Sequence, residues 1–107
     1  MKFLFNSDGR QIANLVNGRF HSPSGPNAGH FLQQHGIFID MRGMYLGEVI
    51  YNDRLMYNRA SPHRSVNYGN YGNYGNVGNY GNPGNFGSIG SVGGYEDVPL
   101  ERLGLGV

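Results

Sequence analysis

Five residues after each of three glycines, Gly9, Gly25 and Gly43, stand Asn14, His30 and Glu48. An amide, an imidazole and a carboxylate at matching points of a repeat could converge on an ion or a polar ligand, and Arg19 is expected across a strand pair from His30. Asn14, Arg19, His30 and Glu48 are therefore the candidate polar ligand cluster. The plainer reading is that polar residues beside an apolar strand position simply face water. A second candidate surface comes later in the chain, where Tyr68, Tyr71, Tyr74, Tyr80 and Phe86 recur between asparagines and glycines. Such rings stack on unpaired bases or pack on sugar faces. Here they stand in a segment nearly devoid of cations, so a structural or self-associating role is the simpler expectation.

Other chemistry finds little support. The 107 residues contain no cysteine, which removes thiol catalysis, disulfides and cysteine-ligated zinc. His21, His30, His35 and His63 show no paired ligand spacing, so no metal and no cofactor is expected. Asp40, Glu48 and Asp53 are not brought together by any spacing that acid–base work would need. The serines lack a nucleophile elbow, and no lysine follows the glycines as in a phosphate loop. A formal charge of +1 argues against duplex DNA. No catalytic residue is assigned, and the protein is expected not to be an enzyme.

The elements that would position these residues are short hairpins. In residues 37–49, IFIDMRGMYLGEV, two apolar runs flank Arg42-Gly43. Branched and aromatic residues suit strands, and Gly43 supplies the positive φ of a tight turn. A two-residue turn would set Met41 opposite Met44, Asp40 opposite Tyr45, Ile39 opposite Leu46 and Phe38 opposite Gly47. With Gly9, Gly25 and Gly43 as equivalent turn glycines, Leu4, Phe20 and Phe38 face Ala13, Gly29 and Gly47, so a bulky group meets a minimal one each time. Six residues past each turn glycine come Leu15, Phe31 and Val49. A fourth hairpin is expected to start at Arg54-Leu55-Met56-Tyr57 and turn near residues 58–62, with Val66 on its weakly marked return strand.

SDGRQIANL, GPNAGHF and RGMYLGEVI resemble the repeats of four-fold β-flower proteins, small bacterial domains of unassigned function. The resemblance covers about Phe3 to Tyr57. It implies four short hairpins set as petals about a pseudo-four-fold axis, and it carries over no functional residue.

From Asn67 to Gly93 the chain reads as nine triplets, NYG NYG NYG NVG NYG NPG NFG SIG SVG. A period of three suits neither strand nor helix, and points to a polyproline- or polyglycine-II-like conformation. Extended at about 3.1 Å per residue the run would reach roughly 84 Å, far beyond a body roughly 30 Å across. It must fold back, bundle with another chain or stay disordered. The divisions are thus a hairpin-repeat domain over 1–66, the Asn-Tyr-Gly triplets over 67–94 and a C-terminal tail over 95–107, whose last glycine and leucine residues are expected to be loose.

The chain is accordingly all-β. It reads as a non-catalytic binding or assembly module whose glycine-rich segment packs on the body, on itself or on a second copy. The alternative is single-stranded nucleic-acid or glycan binding through Tyr and Asn, and an enzyme using Asn14, His30 and Glu48 is the remote case. Without a long apolar run at the start, no signal or membrane span is indicated. A cytoplasmic location is the default expectation, with export by other routes open.

Overall fold

The computed structural model describes residues 1–103 and 105. The chain is all-β: β1 (Lys2–Phe5), β2 (Gln11–Val16), β3 (Arg19–His21), β4 (Asn27–Leu32), β5 (Ile37–Asp40), β6 (Tyr45–Ile50), β7 (Arg54–Asn58) and β8 (Tyr95–Asp97). Each strand pairs antiparallel with the next. A parallel pairing of Phe5 with Arg54 joins β1 to β7 and closes seven strands into a barrel, with β8 added outside β7. Among the described residues there is no α-helix, hence none long and apolar enough to cross a membrane.

Leu4, Phe20 and Phe38 pair with Ala13, Gly29 and Gly47. The path to that register differs from a two-residue turn. Each loop holds three residues, with Asn6, Ser22 and Asp40 before it and Arg10, Pro26 and Met44 after it. The N–H of Gly9, Gly25 and Gly43 donates to the carbonyls of Asn6, Ser22 and Asp40 at 3.1, 2.9 and 3.1 Å. This advances the register by one residue, and a bulge after the second pair restores it. Ile39 therefore faces Tyr45, not Leu46, and Leu46 is the extra residue, as Ile12 and Ala28 are in the other hairpins. A three-residue loop with glycine at positive φ followed by a bulge is a common hairpin closure. Asn6 and Asp40 reinforce it, each side chain accepting two loop N–H groups.

The small residues are required by contact. A Cβ on Gly29 would enter the Phe20 ring and the Ile39 carbonyl, and one on Gly47 would lie 2.5 Å from the Met56 carbonyl oxygen. Inside the barrel, Leu4, Ile12, Ala13, Phe20, Phe38, Leu46 and Leu55 form one buried cluster. Phe20 and Phe38 meet edge to face with centroids 5.5 Å apart.

The partner strand of β7 corrects the expectation for the fourth hairpin. Pro62–Ser65 form a 3-10 turn, with Ser61 Oγ accepting from the His63 N–H, and Val66 is exposed. Proline cannot donate to a strand ladder, which disfavours a return strand there. Instead β8 comes back after the triplets and pairs Met56 with Asp97, Tyr57 with Glu96 and Asn58 with Tyr95. Val98 and Leu103 follow and bury themselves in the same core cluster. Of residues 104–107, expected to be loose, Gly104, Gly106 and Val107 lie outside the described residues, whereas Leu105 donates its N–H to Leu100 O at 3.0 Å and packs against the core cluster, which corrects that expectation for it.

Between β7 and β8 the triplets make a chain of turns. In seven consecutive triplets the Asn Oδ1 accepts from the N–H of the glycine two residues on, at 2.6–2.8 Å, and Ser88 Oγ does the same for Gly90 at 3.0 Å. Gly69, Gly72, Gly75, Gly78, Gly81, Gly84, Gly87 and Gly90 all have positive φ, between 72° and 96°. A uniform polyproline-II helix holds φ near −75°, so the backbone departs from it at every third residue. The cause is the asparagine, whose side chain imitates a backbone turn.

Gly29→Ala separates the collision from loss of glycine freedom. It is expected to cost about 2–4 kcal/mol in urea unfolding. Gly18→Ala, where φ is 77° but a Cβ would meet nothing within 4 Å, should cost about 1 kcal/mol.

Candidate functional site

The triplets form a belt laid across the hairpin turns in reverse order. The N–H of Tyr68 donates to Gly43 O at 2.9 Å, that of Val77 to Gly25 O at 3.1 Å, and that of Phe86 to Gly9 O at 3.0 Å. These three donors are nine residues apart, so three triplets carry the belt from one turn to the next. The turn glycines have a second role here. A Cβ on Gly9 would lie 2.5 Å from the Gly87 backbone, one on Gly43 2.5 Å from Gly69, and one on Gly25 2.7 Å from the Gly78 nitrogen. Real Cβ atoms do not approach so closely, and the docking depends on their absence.

Between the turns of Gly43 and Gly25 the belt is seated on the barrel. Asn27 N–H donates to Gly75 O at 3.0 Å and Asn27 Oδ1 accepts from the Tyr74 N–H at 2.9 Å. His30 Nε2 donates to Gly72 O at 3.0 Å, which fixes the proton on that nitrogen because a carbonyl only accepts. The Arg19 guanidinium lies over the Tyr74 ring at 3.7 Å, a favourable cation–π geometry. The rings of Tyr71 and Tyr74 flank His30 at 5.6 and 5.5 Å.

Of the polar cluster, the structure brings Arg19 and His30 together, paired across β3 and β4. Asn14 is fully buried on β2 and accepts from Gln11 Nε2 at 2.5 Å. Glu48 is half-buried on β6, where it accepts from Tyr95 OH at 3.4 Å. No hydrogen bond or ion pair joins Asn14, His30 and Glu48 to one another among the described residues, and no three metal-ligating side chains group there. Burial of Asn14 and His30 also departs from the plain reading that the column faces water. The belt lies over His30, and that covering was invisible while the triplets were read separately.

Of the belt aromatics, Tyr68 is half-buried against His35 and His63 and hydrogen-bonds His63 Nδ1. Tyr71, Tyr74, Tyr80 and Phe86 remain 44–54% exposed, although Phe86 stacks on Phe5 with centroids 4.2 Å apart.

Sequence reasoning placed Arg54 only at the start of the fourth hairpin and gave its side chain no role. It is 7% exposed at the barrel seam, and donates to Asn6 O at 3.1 Å, Gly87 O at 2.8 Å and Phe86 O at 3.3 Å. The guanidinium thus ties closure of the barrel to the end of the belt, using the fixed fork of donors that lysine lacks. The flanking Ser7 adds a hydroxyl and an N–H to the Asp97 carboxylate at 2.6 and 2.8 Å, linking the first turn to β8.

No protein-family model matches this sequence, and no curated protein or solved structure matches it. The chemistry of the site is therefore read from its geometry alone.

Burial pushes the His30 imidazole below its ordinary value of 6.5; the Gly72 bond opposes this, and the charges of Arg19 and His21 add to it. The native state consequently binds this proton less readily than the unfolded chain. Stability from this source is full above pH 6.5 and falls as acidification protonates the unfolded chain first. Urea midpoints measured between pH 7.5 and 5 are expected to drop more for the wild type than for His30→Gln, which has no proton to gain. Parallel curves would remove His30 as the cause.

Proposed function

We propose that this chain is a non-catalytic binding and assembly module of the four-petal β-flower kind, in which the belt presents an outward row of aromatic rings to a second copy of the chain. The observation that carries the reading is the exposure of Tyr71, Tyr74, Tyr80 and Phe86 along one surface-hugging segment. Tyrosine and phenylalanine are enriched at association surfaces because each buries a large area at small entropic cost. The belt holds these rings in fixed backbone turns, so association would order little more than side chains. A net charge of +1 leaves only weak repulsion between copies.

Four features support the petal arrangement: three hairpins with identical loop and bulge grammar, and a fourth pair made by β7 and β8. A non-catalytic role is supported by the separation of Asn14, His30 and Glu48 onto different partners. Each is occupied in holding the chain together.

Light scattering at graded concentration tests the assembly reading. The wild type should gain mass from micromolar to millimolar concentration, and a Tyr71→Ser/Tyr80→Ser variant should stay monomeric with its melting curve nearly unchanged. A wild type that remains monomeric at millimolar concentration contradicts the proposal.

A further inference from the structure

The belt crosses the barrel twice between turn glycines, and the two crossings differ. From Gly69 to Gly78 it is pinned by Asn27, His30 and Arg19 as described. From Gly78 to Gly87 no hydrogen bond joins residues 78–85 to the barrel among the described residues. The nine-residue repeat shows why. Gly81 corresponds to Gly72, and Asn14 corresponds to His30 in its hairpin. The imidazole reaches the belt, whereas the shorter Asn14 side chain ends at Gln11, and its buried Nδ2 has no partner among the described residues. Tyr74, which stacks on Arg19, is replaced by Pro83. The space filled by side chains in the first crossing is left in the second as a cavity of about 410 Å³, lined by Arg10, Gln11, Pro23 and the belt asparagines Asn79, Asn82 and Asn85, with Gly81 and Gly84. That volume lies within the roughly 300–1,000 Å³ of small-molecule sites.

We propose that this arch binds a carboxylated saccharide of one or two rings. The lining is donor-rich. Each asparagine spends its Oδ1 on a glycine N–H, which leaves the Nδ2 group to face a ligand. The Arg10 guanidinium makes no hydrogen bond or ion pair among the described residues, and no carboxylate lines the cavity. The ligand must therefore supply acceptors and negative charge. Its acceptors must also be spread out, because the asparagines follow one another at three-residue intervals. The glycine N–H groups that could have formed a compact anion nest are already occupied. A sugar acid meets these demands, with ring oxygens for the amides, a carboxylate for Arg10 and a carbon face for Pro23. No ring of the aromatic row lines this cavity, and neither proposal depends on the other.

The test is an NMR titration of the full chain with galacturonate and digalacturonate, with galactose, inorganic phosphate and sulfate as comparison arms. Saturable shifts confined to Arg10, Gln11 and residues 79–85 are expected with the acid sugars, and binding of galactose should be at least about tenfold weaker. Arg10→Gln, an exposed position whose melting temperature should not move, should weaken acid-sugar binding about tenfold or more. Asn14→His should place a ring where His30 sits in the other crossing and abolish binding. Absence of saturable shifts at these residues, phosphate or sulfate binding as tightly as the acid sugars, or an Arg10→Gln variant with unchanged affinity would each overturn the proposal. Should Asn14→His fail to fold, the Arg10→Gln comparison decides alone.

Discussion

The structure depends on atoms that are missing. At Gly9, Gly25 and Gly43 the belt's backbone lies where a Cβ would stand, so three hairpin turns serve as three docking points. The same positive φ that lets glycine end a three-residue loop also turns its carbonyl toward a belt N–H at 2.9–3.1 Å. One residue type thus satisfies a local demand of the hairpin and a long-range demand of packing, and agreement between such levels is what makes a sequence specify one structure.

A barrel of this size has little apolar surface to bury, and small cores commonly need reinforcement. The belt supplies it in two ways. It caps His30 and braces Arg54 with its own carbonyls, and it returns the chain so that β8, Val98 and Leu103 complete the sheet and the core. Its asparagines satisfy one backbone N–H in each of seven triplets and set a turn there, which helps an exposed segment without helix or sheet hold a defined path.

The three hairpins were legible in the sequence because the pairing of Leu4, Phe20 and Phe38 with Ala13, Gly29 and Gly47 repeats at fixed distances from each turn glycine, whereas closure of β1 on β7 into a barrel was not. The extra loop residue and the compensating bulge were not, since they cancel and leave that pairing unchanged. The fourth hairpin was misread for another reason. Its strands are separated by the whole belt, and Tyr95–Asp97 is too short and polar to announce itself. Of the candidate site, Arg19 beside His30 followed from strand register. The burial of His30 did not, nor did the role of Arg54, because the covering groups are belt carbonyls that no side-chain pattern encodes; the burial of Asn14 beside Gln11 was equally unmarked.

Amide hydrogen exchange resolved by residue tests the docking most directly. The account expects slowed exchange at Tyr68, Val77 and Phe86, nine residues apart, with Tyr71 and Tyr80 between them exchanging faster, and loss of protection at Val77 in Gly25→Ala. Exchange at unstructured-chain rates throughout residues 67–93, or protection at Val77 indifferent to Gly25→Ala, would contradict it.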